Sequence, residues 1–299
     1  MKDWIVFLSI FAVLFYIYYT RYRTKVIDLE DLVEDVGYKQ LYTGDSEFQG
    51  VDVIRFNPNE RGYNKCLVLN DEIQLCDNDE AYYHEMIVHF PAYYIPQLEH
   101  VLIIGGGDLM TLREVMKYKS IKTAVVLELD KKVVDVCKQF FNVDTYEHDP
   151  RVKIVYGDAA QNIKQLPNRL YDLVIIDSTE DGDINSPLEE RKFFELCKTK
   201  MNSDGILIKN GFITNQMLPA SRKHKMNMLT DLKSTFRHAG VYSANIYTYG
   251  DNDYSFIMAS DAHRLRDSRQ NIETKEIVNE FKKYRPSQQK NYISRQYNA

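Results

Sequence analysis

The stretch VLIIGGGDLMTLREVMKY, from Val101 to Tyr118, decides the fold. Four apolar residues run into three glycines and Asp108, and an amphipathic helical pattern follows them. This order predicts a strand, a tight turn and a helix, because glycines let the backbone turn sharply and let a ligand come close to it. The N-terminus of such a helix also offers unpaired N–H groups to a ligand. Taken alone, the pattern fits both a nucleotide-type site and a merely tight connection.

The chain that follows alternates between apolar, β-rich runs and helical stretches. Further strands are predicted at AVVLEL (124–129), KIVY (153–156), DLVIID (172–177) and GILIKN (205–210), and helices at 109–119, 131–141, 159–166 and 189–201. A late helix at about 217–238 and the runs VYSANIY and YSFIMAS predict a final hairpin at the sheet edge. Continuous apolar strands between helices favour a parallel sheet that is covered on both faces. We therefore predict an α/β, Rossmann-like (methyltransferase-type) doubly wound sheet over residues 97–299.

Residues 26–96 predict a smaller β-domain with a linking helix. Short alternating runs between Gly37 and Gln74 are separated by Gly, Asn and Pro, as in β-hairpins, with one turn at Asn70-Asp71. The stretch from Asp79 to Phe90 has helical spacing. We expect four to six strands here, and then the helix that leads to the central sheet.

The N-terminal segment, residues 1–25, predicts a membrane anchor. The run from Trp4 to Tyr19 is uncharged and apolar, although slightly shorter than the roughly 20 residues that a helix needs to cross a bilayer upright. Basic residues follow it (Arg21, Arg23 and Lys25), and a positive flank normally stays on the cytoplasmic side. These features predict an uncleaved, single-pass anchor with the catalytic domain on the cytoplasmic side. A removed signal peptide is the alternative.

Charge and cysteine usage narrow the possible partners. The net charge of −5 argues against nucleic acid as a partner, because phosphate binding needs concentrated Lys and Arg. The four cysteines show no metal-ligand spacing, so we expect no metal site and favour reduced thiols. Cys66 and Cys76 could meet across a hairpin, although their spacing does not require it.

Carboxylates follow the predicted strands at the edge where ligands bind in open sheets of this kind. They are Asp108, Glu128, Asp158 and Asp177. Glu128 lies 20 residues after Asp108, the spacing at which an acidic residue accepts hydrogen bonds from ribose hydroxyls. Asp158, followed by Ala159, is suited to accept a hydrogen bond from an adenine amino group. A helix N-cap is the alternative role for Asp158 and for Asp130.

Asp108 selects among nucleoside ligands by charge. At the glycine turn it would repel the carboxylate of S-adenosylmethionine, whereas it would attract the ammonium group of decarboxylated S-adenosylmethionine. The alternative is an outward-facing helix cap. Asp177 would accept the proton that an attacking primary amine, with a pKa of about 10.4 by analogy with Lys, must lose before it reacts. Glu180 is expected to anchor a diamine.

These segments resemble the polyamine aminopropyltransferase family, the spermidine synthases, from about Gln49 to Ser260. The matching segments are LVLNDEIQ (67–74), DEAYYHEM (79–86), VLIIGGGD with LREV (101–108 and 112–115), VVLELD (125–130), DPRVKIVYGDA (149–159), YDLVIIDST (171–179) and GILIKNG (205–211). The resemblance implies a small N-terminal β-domain, a Rossmann-like catalytic domain and usually a homodimer or a higher oligomer. It also implies transfer of an aminopropyl group from decarboxylated S-adenosylmethionine, a co-substrate, to putrescine or a related amine. The products would be spermidine or an analogue and methylthioadenosine, with no metal and no permanently bound cofactor.

The resemblance also implies roles for individual residues, with Asp177 as the catalytic acid/base. The implied cofactor positions are Gln49, Gly105, Gly107, Asp108, Glu128, Asp158 and Ala159. The implied substrate positions are Tyr83, His84, Asp108, Glu180 and Tyr249. Leu109 takes the place of a glycine that is usual in the family, which would crowd the adenosine or shift the helix start. Two other functions stay open, an S-adenosylmethionine-dependent amine N-methyltransferase and an inactive relative that binds polyamines or nucleosides.

Overall fold

A computed structural model describes residues 37–57, 64–144, 146–179, 186–213, 219–249, 253–265, 273–274, 277–285, 287 and 292. The predicted anchor, residues 1–25, lies outside these ranges. Within them, no helix has the length and apolar character needed to cross a bilayer. The prediction of a single-pass membrane protein depended on an apolar run slightly shorter than the roughly 20 residues of a typical span and on the basic residues after it. It is corrected, because no described helix supports it.

The small N-terminal sheet has four antiparallel strands, the lower end of the expected range. They are β1 (Tyr38–Asp45), β2 (Gly50–Phe56), β3 (Lys65–Leu69) and β4 (Glu72–Cys76), and they lie in the order β1-β2-β3-β4. Asn70 and Asp71 form the two-residue turn between β3 and β4, with φ angles of 48° and 65°. Two positive φ angles are what a type I′ hairpin requires, so the predicted turn is confirmed.

A disulfide joins Cys66 to Cys76, which corrects the expectation of four reduced thiols. The register explains why spacing alone did not reveal it. Leu69 pairs with Glu72 and Val68 with Ile73, but an irregularity then leaves Gln74 as a bulge, so that Cys76 lies opposite Cys66. A bulge adds one residue to one strand and shifts all later pairs. Cys137 and Cys197 are free and buried, as expected.

Helix α1 (Glu80–Ala92) links the two sheets. All of its residues except Tyr82 are buried. A helix that is enclosed on all sides belongs in the interior rather than on one face of a sheet. The predicted helix at 79–90 is therefore confirmed, and it holds polar side chains such as Tyr83 and His84 inside the protein.

The large sheet has seven strands in the order β10-β11-β9-β8-β5-β6-β7. They are β5 (His100–Gly105), β6 (Thr123–Glu128), β7 (Val152–Tyr156), β8 (Tyr171–Asp177), β9 (Met201–Ile213), β10 (His238–Asn245) and β11 (Asp253–Ser260). Strands β5 to β9 are parallel, and β11 is antiparallel to both β9 and β10. The predicted Rossmann-like sheet and its terminal hairpin are thus confirmed, while the boundary at residues 96/97 stays a prediction.

Helices connect these strands and cover the sheet. They are α2 (Met110–Val115), α3 (Lys131–Phe141), α4 (Ala159–Asn162), α5 (Arg191–Lys200) and α6 (Pro219–Thr235). Strand β5 is flanked by β6 on one side and by β8 on the other. The direction of strand order therefore reverses between β5 and β8, and a crevice forms beyond their carboxyl ends, where ligands bind in this fold.

Candidate active site

The turn after β5 requires glycine because the carboxyl ends of β5, β6 and β8 lie close together there. Gly105 has a φ of 82°, and a Cβ atom at this position would overlap the carbonyl oxygen of Asp177. A Cβ atom on Gly107 would lie 3.0 Å from the carboxylate of Glu128. Only a residue without a side chain fits at Gly105, and a side chain at Gly107 would require the Glu128 carboxylate to shift. The turn thus brings the predicted carboxylates of β6 and β8 to the same crevice.

A cavity of about 830 Å³ lies between the small sheet and the carboxyl ends of the central strands. Its lining includes the acidic residues Glu72, Asp108, Glu128, Asp130, Asp158 and Asp177. None of the described lining residues is Lys or Arg. His84 is the one described basic side chain in this lining, so carboxylates outnumber basic groups there, and the excess of acidic groups attracts a positively charged ligand.

Asp177 lies at the end of β8 with a hydroxyl donor on each carboxylate oxygen. The Tyr83 hydroxyl donates to Oδ1 at 2.5 Å, and the Thr111 hydroxyl donates to Oδ2 at 2.6 Å. Burial raises the pKa of Asp177 above its usual value, and the negative charge of Asp108 raises it further. A carboxylate with a raised pKa is a stronger base, as proton transfer from an amine requires.

Asp108 is paired with His84 rather than turned outward. His84 Nε2 lies 3.4 Å from Asp108 Oδ1, and the N–H of Met110 donates to the same oxygen at 2.7 Å. Burial alone would raise the pKa of Asp108, but the charge of His84 outweighs burial and lowers it. Asp108 therefore stays ionised while it lines the cavity, and it also caps the first turn of α2.

Glu128 and Asp158 also line the cavity. The N–H of Asp130 donates to Glu128 Oε1 at 2.8 Å, while burial raises the pKa of Glu128 to about 7. Asp158 accepts the N–H of Ala160 at 2.7 Å, and Asp130 accepts that of Lys132 at 2.9 Å. The helix-cap interpretation is therefore correct for Asp158 and Asp130, and both also line the cavity.

Gln49 and Ala159 complete the predicted nucleoside positions. Gln49 Nε2 donates to Asp130 Oδ2 at 3.1 Å, which brings the connection between β1 and β2 to the cavity. Ala159 is buried at the start of α4 and also lines the cavity. The seven predicted cofactor positions therefore share one cavity.

Aromatic rings form the other end of the cavity. The Tyr249 hydroxyl donates to the backbone oxygen of Gln74, at the bulge of β4, at 2.5 Å. The centroid of its ring lies 4.8 Å from that of Tyr254 and 6.1 Å from that of Tyr83. Tyrosine faces can hold a substituted ammonium through cation–π contacts. Glu180, the predicted diamine anchor, lies outside the described residues.

Sequence reasoning missed Thr111, Tyr254 and Asn210. Thr111 follows Asp108 by three residues, so the predicted helix start could have indicated that both face the same crevice. Asn210 Nδ2 donates to the backbone oxygen of Ser178 at 2.7 Å and lines the cavity. Nothing in the local pattern indicated Asn210 on β9 or Tyr254 on β11, because both strands were predicted from apolar composition alone.

Leu109 lies in the hydrophobic core and not beside the predicted adenosine position, where it was expected to crowd the ligand. It has a φ of 61° and is fully buried in the main core, and it is not among the described cavity-lining residues. Its side chain therefore does not crowd the predicted adenosine position, and the helix begins at the next residue, Met110.

In the described part of the chain, no cluster of three or more His, Cys, Asp or Glu could hold a metal ion. The expectation of a metal-free reaction stays a prediction.

The doubly wound sheet, the glycine turn and the acidic cavity define the class of protein, a Rossmann-like protein with an acidic cavity at the strand ends. Residues 80–269 match the spermine/spermidine synthase domain. A polyamine aminopropyltransferase of Alkaliphilus metalliredigens is 33% identical over 258 residues, which cover 86% of this chain and 87% of the relative. Spermidine synthase 2 of Hyoscyamus niger is 41% identical over 170 residues, 56% of this chain and 54% of that protein. The chain belongs to the spermine/spermidine synthase family and is a transferase of the aminopropyltransferase type.

Solved structures agree with this assignment. A spermidine synthase in complex with the transition state analogue AdoDATO matches with a TM-score of 0.72 and 26% identity, covering 86% of this chain and 85% of that one. Spermidine synthase from Thermotoga maritima matches with a TM-score of 0.71 and 26% identity, covering 86% and 84%. The family assignment selects aminopropyl transfer over the methyltransferase alternative. The expected homodimer stays a prediction.

Proposed function

We propose that the protein transfers the aminopropyl group of decarboxylated S-adenosylmethionine to putrescine or a related amine. The observation that carries this proposal is the cavity with six acidic residues and, among the described residues that line it, neither Lys nor Arg. The donor carries a sulfonium and an ammonium group, and the acceptor carries two ammonium groups. An acidic, partly enclosed cavity stabilises such ligands and disfavours anionic ones.

The donor would bind with its nucleoside against Glu128, Asp158 and Ala159. Glu128, when ionised, would accept hydrogen bonds from the ribose hydroxyls, and Asp158 would accept one from the adenine amino group. Gln49 would close this side from the small sheet, and the backbone at Gly105 and Gly107 would let the donor approach the strand ends. The ammonium group of the aminopropyl arm would pair with Asp108.

The acceptor would lie between Tyr83, Tyr249 and Asp177, with Glu180 proposed as a second anchor. Its attacking nitrogen transfers a proton to Asp177 and forms a bond to the methylene carbon beside the sulfonium. The carbon–sulfur bond breaks, and its electron pair leaves with sulfur, which becomes the neutral thioether of methylthioadenosine. His84 would help to orient Asp108 during this in-line displacement, which needs no covalent enzyme intermediate.

A product assay tests the proposal directly. The full-length protein is incubated with decarboxylated S-adenosylmethionine and, separately, with putrescine, cadaverine, agmatine or spermidine, and methylthioadenosine is quantified. We expect product with at least one amine. If none forms although calorimetry detects binding of methylthioadenosine, the protein is a binding relative and the proposed turnover is wrong.

Asp177→Asn tests the proposed base. Turnover should fall by about 10²- to 10⁴-fold, because the amide cannot accept the amine proton. Calorimetry should show that methylthioadenosine still binds, since Asp177 does not contact the nucleoside in the proposal. Asp204→Asn changes an exposed Asp outside the cavity lining and serves as the matched control. Wild-type turnover in Asp177→Asn would remove this residue from its role.

A further inference from the structure

A chain of ionisable side chains with alternating charge runs from α2 through α1 to Asp108. Arg113 Nη2 donates to Glu80 Oε2 at 2.7 Å, and His84 Nδ1 lies 2.9 Å from the same oxygen. His84 Nε2 faces Asp108 Oδ1 at 3.4 Å. His84 and Asp108 line the cavity, whereas Glu80 and Arg113 are not among its described lining residues. Glu80 is therefore expected to act on a bound ligand indirectly, and His84 is the side chain that joins it to Asp108.

The partners of His84 determine its protonation. Nδ1 faces two groups that can only accept, the backbone oxygen of Glu80 at 2.7 Å and its carboxylate, so Nδ1 carries a hydrogen. A neutral ring would then present the lone pair of Nε2 to the carboxylate of Asp108, and the two would repel each other. The imidazolium form donates on both sides, so it is the form that fits both neighbours.

The charges of the neighbouring side chains also favour the imidazolium form of His84. Burial alone would lower the pKa of His84, but the carboxylates of Asp108 and Glu80 outweigh burial and raise it well above its usual value. Burial would likewise raise the pKa of Glu80, yet hydrogen bonds and charge from His84 and Arg113 lower it to about 2. Only 2% of the His84 side chain and 6% of the Glu80 side chain is exposed, so water screens this pair weakly.

We propose that Glu80 is a positioning residue, which holds His84 as an imidazolium and thereby fixes the Asp108 carboxylate for the ammonium group of the aminopropyl donor. This inference rests on the proposed function, because it takes the role of Asp108 from there. Arg113 supports the arrangement from α2 by orienting Glu80. The described charged or titratable groups around these four residues come from several elements. They are Tyr83 on α1, Glu114 on α2, Glu128 at the end of β6, Cys137 on α3, Tyr146 after α3, Asp177 at the end of β8 and Lys282 from the C-terminal segment.

Glu80→Gln tests the inference, because it keeps the size of the side chain and removes its charge. The pKa of His84, followed by NMR of its imidazole Cε1–H signal without substrate, should fall by about one unit or more. Above the new pKa the ring is neutral and repels Asp108. The KM for decarboxylated S-adenosylmethionine should then rise about tenfold with increasing pH, while kcat changes less. The wild-type KM should stay flat over the same range.

Three further variants make the result specific. In a His84→Gln background, Glu80→Gln should cause no pH-dependent rise in KM, since Gln does not titrate. Glu80→Asp keeps the charge and should keep KM independent of pH, and it provides a folded comparison if Glu80→Gln unfolds. Glu195→Gln removes an exposed partner of Arg191 on α5 and is the matched control.

Two results would overturn the inference: an unchanged pKa of His84 in Glu80→Gln, or a KM effect that is the same at every pH and persists in the His84→Gln background. The NMR titration needs no turnover. If the protein made no methylthioadenosine, the proposed function would fail while the titration, with calorimetric affinity for the donor in place of KM, would still decide the role of Glu80.

Discussion

Asp177 shows how single hydroxyl groups adjust a buried carboxylate. Burial and the charge of Asp108 both raise its pKa, whereas the hydrogen bonds from Thr111 and Tyr83 lower it. The hydroxyls therefore favour the ionised form of Asp177, which is the form that accepts a proton. Both donors also fix the direction in which the two oxygens point.

Thr111→Val should change the pH dependence of the reaction. The valine has the same shape but donates no hydrogen bond, so the pKa of Asp177 rises further, and the acid limb of kcat/KM should move by about half a unit to one unit toward higher pH. Thr111→Ser keeps the hydroxyl and should retain the wild-type profile. Initial rates between pH 6 and pH 9 measure the shift. A profile unchanged in the valine variant would show that this hydrogen bond does not influence the base.

Leu109 combines an unfavourable backbone conformation with full burial. A non-glycine residue at positive φ costs about 1 to 2 kcal/mol, and Leu109 has a φ of 61°. Burial of a leucine side chain in a packed core offsets more than that, because truncation of buried leucines typically costs about 2 to 5 kcal/mol. The packing of the Leu109 side chain thus offsets the backbone strain that a glycine would avoid at this position.

Leu109→Gly should therefore destabilise the protein by about 2 kcal/mol, despite the relief of backbone strain. The loss is smaller than for a typical leucine truncation because glycine adopts positive φ without cost. Urea unfolding followed by circular dichroism measures the difference. An increase in stability would mean that the backbone term exceeds the packing term at this position.

At the scale of elements, the β3–β4 hairpin determines one wall of the cavity. The bulge at Gln74 turns a backbone oxygen toward Tyr249, and the same bulge brings Cys76 opposite Cys66. The Cα atoms of the two cysteines lie 4.1 Å apart. The disulfide and the hydrogen bond of Tyr249 therefore both depend on the bulge at Gln74.

Removal of the disulfide should lower the free energy of unfolding by about 2 to 3 kcal/mol, because a closed loop of this length restricts the unfolded chain. Reductant should produce this loss in the wild-type protein, measured by urea unfolding. The Cys66→Ala/Cys76→Ala variant should start at lower stability and show no response to reductant. Equal sensitivity of both proteins would assign the effect to other groups.

At the scale of the whole molecule, α1 connects the cavity to the C-terminal segment. Tyr83 and His84 face the cavity, while the carboxylate of Glu85 accepts the backbone N–H groups of Lys282, Lys283 and Tyr284. One buried helix therefore contributes side chains to the cavity and also binds the C-terminal segment. Its polar side chains are tolerated inside because they are hydrogen-bonded.

Glu128 should make stability depend on pH. Its pKa rises from 4.5 to about 7 on folding, so the folded state keeps a proton that the unfolded state releases. Stability from this group is full below about pH 4.5 and should decrease by about 3 kcal/mol as pH rises to about 7. Glu80 titrates lower, with a folded pKa of about 2, so it adds stability as pH rises from about 2 to 4.5.

The comparison of wild type with Glu128→Gln isolates this contribution. Free energies of unfolding from urea titrations at pH 5 and pH 8 should differ more in the wild type than in the variant. Bound methylthioadenosine should reduce the difference, since ribose hydroxyls favour the ionised carboxylate. The same pH dependence in both proteins would contradict the assignment to Glu128.

The sequence by itself determined the order of strands and helices, the glycine turn after β5 and the carboxylates at the strand ends. These features are local, because apolar periodicity and glycine conformations act within a few residues. The same locality made the N-terminal prediction wrong, since an apolar run does not establish a membrane span.

Only the tertiary structure decided which side chains meet. Tyr83 and Asp177 are far apart in the chain and touch only because α1 packs beside β8. The Cys66–Cys76 pair depends on a bulge, and the chain from Glu80 through His84 to Asp108 depends on how α1 lies against the glycine turn. Contacts of this kind arise from packing between elements, which no local pattern in the sequence specifies.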